Sequence, residues 1–114
     1  METTNAVEQL SALAQETRLE VFRLLVKAGH GGMPAGEIGR TIDLPLPTLS
    51  FHLRLLREAG LVSSRREGRS IIYIASYDAM NALVGFLGEN CCVGVDVAFA
   101  NIDAGTQAGK GEVR

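Results

Sequence analysis

Cysteine is nearly absent from this 114-residue chain: Cys91 and Cys92 are the only two, and they are adjacent. Neighbouring thiols cannot staple distant segments together, which excludes the disulfide framework of a small secreted domain. Any role for the pair is therefore chemical. No run reaches the about 20 apolar residues that a membrane-spanning helix needs. The start, METTNAVEQLSALAQ, lacks the basic residues and unbroken apolar stretch of a signal peptide. A cytoplasmic protein without a membrane partner is the expectation. Histidine is scarce too: His30 sits among glycines and His52 stands alone in a helical pattern, so no histidine-based metal motif exists. No spacing assembles a nucleophile with a base, paired carboxylates or an open metal site, and a thiol enzyme built on Cys91 would lack a neighbouring histidine. The expectation is a protein that binds rather than catalyses.

Net charge is small, 11 Lys and Arg against 13 Asp and Glu giving −2, so bulk positive charge does not coat nucleic acid here. The distribution is uneven. Arg54, Arg57, Arg65, Arg66 and Arg69 share one window with only Glu58 and Glu67, a basic patch on an acidic body. With 46% hydrophobic and 21% charged residues the chain has the balance of a globular protein, and its length suits a single core. Residues 1–92 are expected to form one domain. Residues 93–114 form a C-terminal extension, partly flexible, whose glycines at 105, 109 and 111 mark a mobile end beyond residue 103.

Apolar spacing divides the domain into elements. Val7, Leu10, Leu13 and Ala14 recur at helical intervals over 7–14. Thr17 with Glu20 makes a capping box for a second helix whose apolar face is Leu19, Phe22, Leu25 and Val26, ending at the glycines of 29–32. Pro34 suits the first turn of a short helix over 35–43, where Ile38 and Ile42 share a side. The two prolines in Leu44-Pro45-Leu46-Pro47 force a tight connection into a helix over 47–59, lined inside by Leu49, Leu53 and Leu56 and stopped by Gly60. Two strand-like runs, 61–66 and 70–75, flank Glu67-Gly68-Arg69 as a β-hairpin. Met80, Leu83, Val84 and Leu87 mark a last amphipathic helix over 77–90 that ends near Cys91 and Cys92. The fold class is mainly α with a small β-hairpin.

A short helix, a tight turn, a second helix with a polar outer face and then a basic hairpin is the plan by which one helix enters the major groove, with the hairpin as a wing. Opposite its leucines the helix over 47–59 presents Pro47, Thr48, Phe51 and Arg54, with Ser50 and His52 flanking. Hydrogen-bonding, apolar and cationic groups together suit base edges and phosphates. Arg65 and Arg66 enter the hairpin turn and Arg69 leaves it, so the hairpin is expected to bring all three to the DNA backbone.

The segments ETRLEVFRLL (16–25), SFHLRLLREAGLV (50–62) and RREGRS (65–70) resemble signature stretches of the ArsR/SmtB family, in the right order and across about residues 6–92. The resemblance implies a winged helix-turn-helix repressor that binds double-stranded operator DNA as a homodimer, pairing through its first and last helices. Val7, Leu10, Met80, Leu83, Val84 and Leu87 are then the candidate interface, against the alternative that they fill the monomer core. Leu46 and Phe51 stand where many relatives carry polar residues, so the DNA sequence read here is expected to differ.

Members of the family release DNA when a metal, metalloid or oxidant engages ligand side chains. The founding arsenic site is missing, because MPAGEIG (33–39) has no cysteine. The chain resembles instead a branch with a Cys-Cys pair after the last helix, usually completed by a third cysteine that 93–114 does not contain. Cys91 and Cys92 are thus the candidate effector ligands. Soft thiolates select soft partners, and trivalent arsenic, as arsenite with an outside third ligand or as a mono-organoarsenical, is the leading effector. No cofactor is required. Oxidation by peroxide or sulfur species, another soft metal, and a merely structural pair remain open alternatives, as does a protein-interaction module that has lost DNA binding. Zinc or nickel is disfavoured, since the last helix offers Asp78 and Glu89 but no histidine.

Overall fold

The computed structural model describes residues 1–95; the remainder of the C-terminal extension, including its expected mobile end, lies outside the described residues. Five helices and a three-stranded antiparallel sheet follow one another as α1 (Thr3–Leu13), α2 (Glu16–Ala28), β1 (Met33–Pro34), α3 (Ala35–Ile42), α4 (Leu46–Glu58), β2 (Val62–Glu67), β3 (Ser70–Ala75) and α5 (Tyr77–Leu87). This is the winged helix-turn-helix order. Among the described residues no helix is long and apolar enough to cross a membrane.

Helices α2, α3 and α4, with Ala12 of α1, and one face of the sheet enclose the core. Val21, Phe22 and Leu25 of α2, Ile38 of α3 and Leu49, Leu53 and Leu56 of α4 pack with Leu61, just before the hairpin, and with Val62 and Ala75 of its strands. Burying each large aliphatic side chain stabilises the fold by roughly 1.5–3 kcal/mol, so the leucine stripe of α4 holds that helix firmly while its other face stays free.

Local starts and stops differ from expectation in ways the backbone explains. Gln15, extended at φ −152 and ψ 133, caps α2 by accepting the Arg18 N–H at 2.9 Å, and Thr17 therefore lies inside the helix instead of capping it. Pro34 precedes α3 as its N-cap residue and pairs as β1 with Ile72 of β3, a strand the sequence did not announce. Gly32 makes that pairing possible: at φ +70, an added Cβ would lie 2.5 Å from the Tyr73 carbonyl oxygen and 2.8 Å from side chains of Ile72 and Ile74.

Between α3 and α4 the chain turns through Asp43, which takes the left-handed conformation at φ 59, while the Leu44 N–H closes on the Gly39 carbonyl at 2.9 Å. The connection spans three residues, and α4 begins at Leu46 with Pro47 in its first turn. Glu67 pairs with Ser70, so the wing turns on Gly68 and Arg69 alone, with Gly68 at φ 60 where a type II′ turn requires it. Helix α5 begins at a side-chain cap, Ser76 accepting the Ala79 N–H at 3.2 Å, and the Tyr77 hydroxyl reaches the Val26 carbonyl at 3.0 Å. It ends at Leu87, three residues before the expected end at 90.

Candidate nucleic-acid interface and thiol site

Helical geometry sorts α4 into two faces. Leu49, His52, Leu53 and Leu56 are buried, and the opposite arc is led by Pro47, Phe51 and Arg54 on successive turns, with Thr48 and Ser50 at its flanks, all exposed. Arg54 leans over the Phe51 ring, its guanidinium carbon 5.4 Å from the ring centre, and shares an exposed ion pair with Glu58 at 3.4 Å.

His52 corrects the sequence reading. Its ring is 8% exposed and faces inward, where Nδ1 accepts from the Arg18 guanidinium at 3.3 Å. Because arginine can only donate, Nδ1 must be the unprotonated nitrogen. Arg18 also donates to the Ala12 carbonyl, 2.6 Å away, and so ties the end of α1 to the middle of α4. Burial first, and then the facing Arg18 cation, holds the His52 pKa below its ordinary value. The inward position was legible in the spacing: His52 lies three residues after Leu49 and four before Leu56, on the leucine side.

The wing divides its arginines. Successive residues of a strand point to opposite sides, so Arg66 shares a face with Ser64 while Arg65 shares the other with Glu67. Ser64 accepts from Arg57 of α4 at 3.2 Å, which places Arg66 on the side of the sheet nearer α4. Arg65 is occupied elsewhere, donating to Glu67 at 2.7 Å and to the Gly31 carbonyl at 3.1 Å. The expectation that all three wing arginines converge is thus corrected: Arg66 and Arg69 are exposed and form no ion pair among the described residues, whereas Arg65 braces the wing. Arg57, which the sequence reading placed in the basic window without a task, anchors α4 to the wing.

The first and last helices lie side by side. Helix α1 buries Ala6, Gln9 and Ala12, and this turns Val7 and Leu10 outward. On α5 Val84 and Leu87 are likewise exposed, and Met80 is half-buried against the core. Leu83 is only 6% exposed and belongs to the monomer interior, which corrects its place in the expected interface.

Cys91 and Cys92 sit beyond α5, not on its last turn. The Cys91 N–H closes on the Gly88 carbonyl at 3.0 Å, and Asn90 and Cys92 take positive φ of 61 and 67, which curls the backbone and brings the two Sγ atoms to 2.9 Å. Both side chains are exposed. The hydrogen bond between the thiols, and then repulsion between their charges, raises the Cys91 pKa. Among the described residues no group of three or more His, Cys, Asp or Glu is gathered to hold a metal ion. The thiol pair therefore offers two sulfur ligands.

Comparison with known proteins agrees with this geometry. A family model described as a helix-turn-helix domain matches residues 13–65. The transcriptional activator HlyU of Vibrio cholerae is 31% identical over 90 residues, which cover 79% of this chain and 81% of that protein. Its solved structure superposes with a TM-score of 0.64 at 32% identity, covering 81% of this chain and 99% of HlyU. An ArsR-like transcriptional regulator from a Rhodococcus species matches at a TM-score of 0.72 with 26% identity, covering 89% of this chain and 92% of that one. The transcriptional repressor BigR from Xylella fastidiosa matches at 0.59 with 32% identity, over 77% of this chain and 87% of its own. All three are named as regulators of transcription.

Proposed function

The chain belongs to the ArsR family of winged helix-turn-helix transcriptional regulators, and on that premise we propose that it is a homodimeric repressor whose operator complex is released when a thiophilic effector bridges Cys91 and Cys92. The observation that carries DNA binding is the outward arc of α4 lying beside a wing whose Arg66 and Arg69 are free for phosphate. Relatives are named both activator and repressor. Repression is favoured here because an effector that chelates two thiols acts most simply by disturbing a DNA-competent form.

Val7, Leu10, Val84 and Leu87 support the dimer. They leave apolar surface on two adjoining helices, and a second copy applying the same patch would cover both. The partner recognition helix would then meet a second half-site of the same duplex.

Trivalent arsenic is the leading effector. A mono-organoarsenical with two hydroxyl ligands reacts with two thiols, forming two As–S bonds and releasing two water molecules, with no change of oxidation state. Sulfur atoms 2.9 Å apart on an exposed turn are already close enough to chelate one atom. Arsenite would need a third ligand from outside the described residues. The same proximity supports a second reading, in which hydrogen peroxide takes two electrons and the two thiol protons from the pair, is reduced to two water molecules, and leaves a Cys91–Cys92 disulfide.

The test is a gel-shift titration of the full chain on DNA from its own upstream region. A mono-organoarsenical should weaken binding, and a coupling of about 1–3 kcal/mol corresponds to roughly 5-fold to 150-fold. Cys91→Ser and Cys92→Ser should bind DNA normally and ignore the arsenical. Release that persists in both variants contradicts the thiol mechanism, and release by peroxide alone transfers the role to oxidation.

A further inference from the structure

Phosphate binding leaves two side chains of α4 without a task. Leu46 is 52% and Phe51 47% exposed, in the half of the helix that enters a groove first. Around them stand Pro47, Thr48, Ser50 and Arg54, so the arc carries no Asn, Gln or Lys. Its one cation, Arg54, lies over the Phe51 ring and is shared with Glu58, away from a free fork aimed at a guanine edge. Asn and Gln read adenine, and free Arg or Lys reads guanine. Neither device is present on this arc.

Phe51 lies at the centre of the outward line, one turn after Pro47 and one before Arg54. It is an apolar spot on a surface otherwise edged by Arg54, Arg57, Arg66 and Arg69. That charge pattern matches a duplex, and the major-groove floor offers one apolar group, the C5 methyl of thymine. We infer that Phe51 is a specificity-determining residue that reads thymine methyl groups, with Leu46 extending the patch, which rests on the DNA-binding reading above. The half-site then carries thymine beneath the middle of α4, and Arg54 exchanges Glu58 for a neighbouring phosphate when the helix docks.

Duplexes recovered from a random-sequence pool by the full chain provide the probe. Each thymine is replaced singly by deoxyuridine, which deletes the methyl and keeps every hydrogen bond of the base edge. Replacement at roughly one or two positions per half-site should weaken binding about three- to fivefold, the effect of one buried methyl group. Phe51→Ala, which leaves the core untouched, should bind thymine and deoxyuridine duplexes alike, and Phe51→Leu should retain part of the discrimination. Indifference to deoxyuridine in the natural chain, or losses unchanged in Phe51→Ala, overturns the inference while DNA binding stands. If no duplex is recovered, the DNA-binding reading itself fails and takes the inference with it.

Discussion

His52 shows how one side chain couples two parts of this regulator. Its Nδ1 must stay unprotonated to accept from Arg18, and Arg18 at the same time holds the carbonyl of Ala12 at the end of α1. Folding lowers the His52 pKa, chiefly by burial, below its ordinary 6.5. The unfolded chain therefore takes up a proton near pH 6.5 that the folded chain still refuses. Stability is complete above that pH, falls as pH drops through the window between the two pKa values, and levels off below it. Urea unfolding at several pH values between 7.5 and 5 should show this loss in the natural chain and a flatter profile in His52→Gln. Equal slopes would place the acid sensitivity elsewhere. The inward histidine could have been seen from its spacing to Leu49 and Leu56; Arg18 as its partner could not, because a contact across 34 residues has no local signature.

At the scale of elements, what the sequence makes legible is what repeats. Leu49, Leu53 and Leu56 predict α4 and its buried side, and the hairpin with its glycine turn announces β2 and β3. Strand β1 escapes, since two residues give no period and its pairing depends on Gly32 passing close to β3. A Cβ there meets backbone as well as side chains, and the positive φ adds strain. Gly32→Ala should cost about 1–3 kcal/mol, read as a lower urea midpoint, while Gly31→Ala, where a Cβ meets nothing within 4 Å, should stay close to the natural chain. Equal behaviour of the two variants would remove β1 from the account. The last helix stops short of its expected end at 90 for a related reason: Met80, Leu83, Val84 and Leu87 carry the period to Leu87, but Gly88 and the left-handed Asn90 then turn the backbone toward the thiols.

For the whole molecule, the arrangement separates three surfaces. Phe51 and Arg54 on α4 and Arg66 and Arg69 on the wing are exposed and make the proposed DNA surface, Val7, Leu10, Val84 and Leu87 form an apolar patch on the terminal helices, and the thiols lie just past the end of α5, the helix that contributes to that patch. A change at Cys91 and Cys92 is thus next to the surface that would set the distance between two recognition helices. Such coupling needs only a preference between two dimer geometries. The basic surface and the thiols are legible in the sequence, but the places of Leu83 and Arg65 are not, because a periodic pattern names the apolar residues of a helix without saying which of them a neighbouring helix covers, and the contact of Arg65 with Gly31 joins residues 34 apart in the chain.

The central claim is that α4 and the wing together grip duplex DNA through phosphates. Fluorescence-anisotropy titrations of the full chain on upstream DNA, run from about 50 to 200 mM salt, test it most directly. Binding should weaken linearly in log–log form, and Arg66→Ala and Arg69→Ala should each reduce the slope by about one, whereas Arg65→Ala, whose guanidinium is held by Glu67 and Gly31, should change it less. Affinity indifferent to salt, or slopes unmoved by Arg66→Ala and Arg69→Ala, would contradict the account.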